Sequence, residues 1–204
     1  MRRGASIPTT VAAGTVGPLR VCATRTSAQV VNTAPVASCP LAPTGVVSDL
    51  YVNTYYVAQD SAAQRNFPAL RVLSLTGPTV VAPDFVDSEV ISGVEDLQVQ
   101  FGIDPTGTTC AAAQYVDAFP AAGWPANSTA QIVSVRIWVL VRADSLEPGF
   151  TDNTIYQYGN RSTATGIVNN LNNGGAAGSA YQPNDGYRRL LVARTLTLRD
   201  ARGC

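Results

Sequence analysis

Two stretches of the chain alternate apolar with polar residues, and they restrict its fold more than any other feature. Leu97, Val99, Phe101 and Ile103 are separated by Gln98, Gln100 and Gly102. The run Gln131-Ile-Val-Ser-Val-Arg-Ile-Trp-Val-Leu-Val-Arg142 places Val133, Val135, Ile137, Val139 and Val141 on one side. A side-chain period of two belongs to a β-strand. The aliphatic side of the second run is expected in the core. Its other side, with Ser134, Arg136, Trp138, Leu140 and Arg142, is mixed and expected to be partly covered. Apolar residues on both faces predict a central strand over 132–141.

Upstream of Leu97 the period changes. Val90, Ile91, Val94 and Leu97 share the spacing of one helical face, and Asp87 or Ser88 is placed to cap it. The expectation is a short helix over 87–96, weakened by Gly93, running directly into the strand at 97–103. Further strands are predicted over 51–58 and 69–75, joined as an antiparallel hairpin with a longer loop, and over 188–199. Residues 104–130 read as a long connection holding Cys110, Phe119 and Trp124. Residues 150–185 read as the least structured part, with an exposed Gly/Asn loop at 169–179. Residues 1–47, interrupted by Pro8, Pro18, Pro35, Pro40 and Pro43, form a loop-like Pro/Thr/Ala-rich segment. Residues 48–204 form the globular domain. The fold class expected is α+β: an antiparallel β-sheet with one short helix.

Composition narrows the function. Charged residues make up 14% of the 204, the formal net charge is zero, every cation is Arg and there is no His. Nothing here draws the chain to nucleic acid or to an anionic membrane, which needs a basic excess. Without His or Lys, and without a Gly-x-Ser-x-Gly elbow, a Ser nucleophile has no general base, so an enzyme is not expected. No Gly-rich phosphate loop follows a strand, and no cofactor is expected. No run approaches the length of a membrane span, so no membrane contact is expected from these residues.

Four cysteines, Cys22, Cys39, Cys110 and Cys204, show no C-x-x-C spacing, so disulfides in an oxidising compartment are expected rather than a metal site. Of the three possible pairings, Cys22–Cys39 and Cys110–Cys204 are favoured. The first closes a short loop in a Pro-rich segment. The second fastens the chain end, and requires the last strand to lie beside the 97–103 strand or one removed from it.

Asp84, Asp87, Glu89, Glu95 and Asp96 form the densest acidic cluster. It could hold Ca²⁺, but a helix first turn followed by a solvated face explains it better. Asp104-Pro-Thr-Gly107 lacks alternating oxygen ligands and reads as a turn. Tyr55, Tyr56, Tyr115, Trp124 and Trp138 could line a sugar-binding surface, but core or strand-face packing is the commoner use of such residues.

The order Gly93-Val-Glu-Asp-Leu-Gln-Val-Gln-Phe-Gly-Ile-Asp104, a turn, Tyr115-Val-Asp117, then Ile132 to Arg142, resembles the C-terminal region of PilW-type proteins of type IV pilus assembly. Flanking matches are Tyr55-Tyr-Val57, Phe67-Pro-Ala-Leu-Arg71 and the Tyr187 to Arg199 stretch. A fainter likeness runs to J-type minor pseudopilins of type II secretion. The resemblance implies a pilin-like β-rich domain, other minor pilins or pilus subunits as partners, a periplasmic or extracellular, pilus-associated location, and a structural role in a priming or tip complex. Such relatives begin with a basic leader and an apolar helix, which the residues after Met1 do not match. The alternatives are a J-like pseudopilin and a secreted binding or adhesion module using exposed aromatics.

Overall fold

The structure, a computed structural model, describes residues 2–6, 20–24, 27–31, 45–75, 84–117, 129–171 and 178–198. It forms two compact units, one of residues Met1–Tyr56 and Arg71–Val90, the other of Val57–Leu70 and Ile91–Cys204. Strands β1 (Arg2–Ser6), β2 (Arg20–Ala23), β3 (Ala28–Val31), β4 (Val46–Ala58), β5 (Ala69–Leu75) and β6 (Phe85–Ser92) make a sheet of order β3-β2-β4-β5-β6, with β1 paired to β4. Within the first 47 residues, expected to be loop-like, lie the strands β1, β2 and β3. The strands expected at 51–58 and 69–75 are β4 and β5, and they are neighbours.

The second unit is built on β7 (Val94–Asp104), β8 (Gln114–Val116), β9 (Gln131–Leu146) and β12 (Tyr187–Thr197), in the order β12-β9-β7-β8. As its two apolar faces required, β9 is an interior strand. Both its neighbours are antiparallel to it, so β7 and β12 run in the same direction, one strand removed from each other. Gly102 and Thr197 both lie opposite Ser134. The two strands therefore finish at the same end of the sheet, about 10 Å apart at two strand spacings. A two-stranded parallel pair, β10 (Ser162–Val168) and β11 (Ser179–Tyr181), completes the unit.

The expected helix over 87–96 is absent, and the described residues hold no helix. These residues are β6, a turn at Gly93 and the start of β7. Val90-Ile-Ser-Gly-Val94 is a run of weak helix formers, three of them β-branched. Gly93 has φ +81°, and a Cβ there would lie 2.8 Å from the Arg142 carbonyl oxygen. Only glycine fits that approach at that φ. Asp87, the expected cap, instead accepts hydrogen bonds from Tyr56 and Arg71 on neighbouring strands.

Two irregularities between β7 and β9 shape the second sheet. Glu95 is an extra residue between the pairs Val94–Val141 and Asp96–Leu140, and Val133 is extra between Gly102–Ser134 and Ile103–Ile132. Each is a β-bulge, which re-aims side chains. The hydrophobic core lies on the face of β9 that carries Trp138 and Leu140. Leu140, Tyr158 and Tyr181 are buried there, with Trp138, Tyr156, Val168, Leu171 and Leu191 packed around them. The aliphatic side of β9, expected in the core, is there only in part: Val133 is buried, while Val135, Ile137, Val139 and Val141 are partly buried. The physical reason is the segment 150–185, which was expected to be the least structured. It supplies two buried tyrosines, β10 and β11, and its aromatic rings cover the Trp138–Leu140 face. Of the loop at 169–179, residues 172–177 lie outside the described residues, as do Phe119 and Trp124 in the connection after β8.

The placement of the core is measurable. Leu140→Ala should cost about 2–5 kcal/mol, the range for truncating a buried leucine. Leu196→Ala, on the opposite face of the sheet edge, should change stability by no more than about 0.5 kcal/mol. Urea unfolding of the two variants distinguishes the arrangements, and equal losses would contradict this core.

Candidate functional site

The segment 150–185 is held on the sheet by two arginine–carboxylate locks, both fed by the bulge in β7. Without the bulge, Glu95 and Asp96 would point to opposite faces. With it, both reach arginines on the covered face. The Glu95 and Asp96 side chains are largely buried, which corrects their expected place on a solvated helical face.

In the first lock the Arg189 guanidinium has 0% side-chain exposure. Its Nε and Nη2 donate to Glu95 at 2.6 and 3.0 Å, and its Nη1 and Nη2 donate to Asp185 at 2.6 and 2.8 Å. The same guanidinium reaches the Tyr181 hydroxyl at 3.2 Å, and Asp152 at 3.4 Å. Two bidentate pairs use the planar fork of an arginine as no lysine could. Burial opposes the charge on Arg189, but the hydrogen bonds to Asp185 and Glu95 outweigh it, and the pKa is raised. Burial likewise opposes ionisation of Asp152 and Asp185. Donors on Thr154 and Tyr156 for the one, and on Arg189 and the Tyr187 amide for the other, outweigh it and lower both. Tyr156, desolvated and bonded to Asp152, is raised to about 12. Arg142 is the cross-strand partner of Arg189. It pairs with Glu95 at 3.4 Å, donates to the Asn66 carbonyl at 2.8 Å and lies against the rings of Tyr187 and Phe67.

In the second lock Asp96 accepts from the Tyr158 hydroxyl at 2.7 Å and from Arg161 Nε at 2.5 Å, while Arg161 also donates to the Ser179 carbonyl. Burial, then Asp96, raises the pKa of Tyr158. Arg189, Asp152, Tyr181 and Asp185 were not singled out by sequence reasoning. The available signal was parity: Arg189 shares a side of its strand with Leu191, a core-packing residue, so a charge stands at an inward position.

Other expected residues have structural partners. The acidic cluster is divided. Asp87 and Glu89 lie near Arg71, at 3.1 and 3.9 Å, Asp84 accepts from the Phe85 amide, and Glu95 and Asp96 belong to the locks. The Asp104 turn is built by the carboxylate itself. Fully buried, it accepts from the Thr106, Thr109 and Cys110 amides and from the Thr106 hydroxyl. Burial works against its ionisation, but these hydrogen bonds win and lower its pKa. Trp138 packs on the core, Tyr115 lies under Arg136 at 3.4 Å, and Tyr56 bonds to Asp87. A polar cleft of about 370 Å³ has Glu95, Arg142, Asp185, Tyr181, Asn169 and Asn170 in its wall. Its charged groups are already in ion pairs, Glu95 with Arg142 and Asp185 with Arg189. Cys22 is buried in β2, and Cys110 takes φ 54° in the loop after β7. Cys39 and Cys204 lie outside the described residues.

The opposite face of the sheet is largely apolar, with Arg194 of β12 among its residues, opposite Ile137. Leu97, Val99 and Phe101 of β7 stand across from Val139, Ile137 and Val135 of β9. On the other side of β9, Val141, Val139 and Val135 stand across from Leu190, Val192 and Leu196 of β12. Directly opposed residues share a face. None of these ten side chains belongs to the buried core. Those of β7 and β9 are half-buried, while Leu190 and Leu196 are 64% and 53% exposed.

Arg189→Leu should destabilise the protein by about 3–5 kcal/mol at pH 7, because it strands buried carboxylates. Arg189→Lys should recover little of that loss. The lowered carboxylates stabilise the fold above about pH 4, and that contribution is lost as the pH falls below it. Urea unfolding at pH 7 and pH 3 should therefore show a smaller gap between wild type and Arg189→Leu at the lower pH.

Neither a curated protein sequence nor a solved structure matches the chain at a significant level. Among the described residues no helix is long and apolar enough to cross a membrane. The family of type IV pilus-assembly protein W matches residues 54–200, a span that takes in both locks, the apolar face and the Asp104 turn. The chain belongs to the PilW family of type IV pilus-assembly proteins, which ties it to pilus assembly in the cell envelope.

Proposed function

We propose that the chain is a minor pilin-like structural subunit that docks to other pilus subunits through the apolar face of the β12-β9-β7 sheet. The observation that carries this reading is the face itself: apolar side chains of three strands stand in register around Arg194, none in the core. Burying such a surface stabilises a complex by roughly 25 cal/mol for each Å² of apolar area removed from water, before the costs of association. The covered face is rigid, being pinned by buried ion pairs, so the docking face presents a preformed shape. On this reading the subunit acts by association, in a priming or tip complex in the periplasm or outside the cell, and no catalytic step is involved. Leu190→Asp with Leu196→Asp should leave stability within about 0.5 kcal/mol per site. The pair should weaken capture of the minor pilins encoded beside it by tenfold or more, about 1.4 kcal/mol. Undiminished capture in a pull-down would remove the face from the mechanism.

The cysteine pairing Cys22–Cys39 and Cys110–Cys204 accompanies this proposal. It is supported by the absence of a free thiol among the described cysteines, and by β12 finishing at the end of the sheet where the Cys110 loop begins. The Cys22–Cys39 link, which closes a short loop, stabilises by roughly 3 kcal/mol. Non-reducing peptide mapping should return these two linked pairs, and a Cys22–Cys110 peptide would refute them.

A further inference from the structure

We propose that the partner docked on the apolar face of the β12-β9-β7 sheet is a different protein, one that presents an aspartate or glutamate carboxylate to Arg194 from within an apolar patch. The inference rests on the docking reading above and adds the chemistry of the occupant. Arg194 stands among the apolar residues of the face. Ile137 lies opposite it, and Val99 lies beyond Ile137. Val192 and Leu196 flank it on the same side of its strand. Leu190 and Leu196, 64% and 53% exposed, lie on either side of it along β12. A partner that covers both leucines must cover Arg194 as well.

The Arg194 guanidinium has donors that the chain itself does not use. An arginine carries five N–H donors and no acceptor. The other described arginines of the sheet are engaged: Arg136 lies over the Tyr115 ring, Arg142 and Arg189 pair with Glu95, and Arg188 pairs with Glu147. Arg194 donates Nη1 to the Ala193 carbonyl at 3.1 Å, and among the described residues it pairs with no carboxylate. In water such a cation is solvated. Under a wholly apolar partner it would lose its hydration with nothing in return. A carboxylate offsets that loss, and its two oxygens match the planar fork of the guanidinium. The same argument disfavours a second copy of this chain. The apolar residues around Arg194 include no acid, so two such faces would set it against hydrocarbon or against another Arg194. A cation on an edge strand also deters strand pairing. That role asks for no acid on the partner, and the experiment separates the two.

The test is calorimetric titration of the full chain with the minor pilins encoded beside it, using wild type, Arg194→Met and Leu196→Asp. Arg194 is exposed, so the urea midpoint of Arg194→Met should match that of the wild type. Arg194→Met should weaken binding by about tenfold or more, because it strands the partner's carboxylate. On a partner without that acid the sign reverses, since methionine removes a desolvation cost and binding tightens. One acidic residue of the partner, changed to its amide, should couple to Arg194 in a double-mutant cycle, the two changes together costing no more than either alone. The partner's variants test the proposal on the wild-type chain. Tighter or unaltered binding of Arg194→Met, with Leu196→Asp still weakened, would overturn the proposal and leave the docking face standing. Unaltered binding of both variants, or no binding of any neighbour at submillimolar concentration, would remove the face and the proposal with it. Dimers of the chain alone in sedimentation equilibrium, lost in Leu196→Asp, would give the face to a second copy.

Discussion

A guanidinium taken out of water must find acceptors for all its protons, and Arg189 is the point on which the second unit depends. Its side chain is fully buried and its donors are divided between a carboxylate on β7 and a carboxylate on the segment that leads into β12. Neither partner alone would satisfy it. The ion pairs therefore do more than add stability, which buried pairs often fail to do against an apolar replacement. They fix the position of the segment 150–185 relative to the sheet, since a shift of either would strand a charge. The bulge at Glu95, the turn at Gly93 and the break in β12 register all lie beside this one side chain.

With one face so committed, the sheet is left asymmetric. The covered side combines aromatic rings with buried charges, a specific arrangement that tolerates one geometry. The other side is mostly apolar, with Arg194 as the charged group among its residues. This division suits a protein that must fold by itself and then join an assembly: the specific contacts are internal and the adaptable ones face outward.

Much of this was legible in the sequence, and the failures have physical causes. The alternation at 97–103 and 131–142 located β7 and β9, because the period of a strand does not depend on what covers it. The interior position of β9 followed from apolar residues on both sides. The helix was misread because Val90, Ile91, Val94 and Leu97 have helical spacing by coincidence: Gly93 interrupts two strands, and a pattern that spans a turn has no single period. The core side was assigned correctly only in part, because hydrophobicity reports which face prefers burial, not which face another segment reaches. The Glu95–Arg189 pair joins residues 94 positions apart, and no local pattern encodes such a contact. Asp104 could be read as part of a turn, yet its burial could not, because a carboxylate that collects its own amide donors looks in sequence like any other Asp-Pro.

The position of β9 between two antiparallel neighbours also has a mechanical meaning. Its sixteen residues are bonded to β7 on one side and β12 on the other over most of their length. A pull along the strand would load both ladders in shear, so that many hydrogen bonds must yield together rather than open one after another from an end. Forced unfolding is governed by the barrier and not by equilibrium stability. A sheet loaded this way can resist tension out of proportion to its free energy of folding.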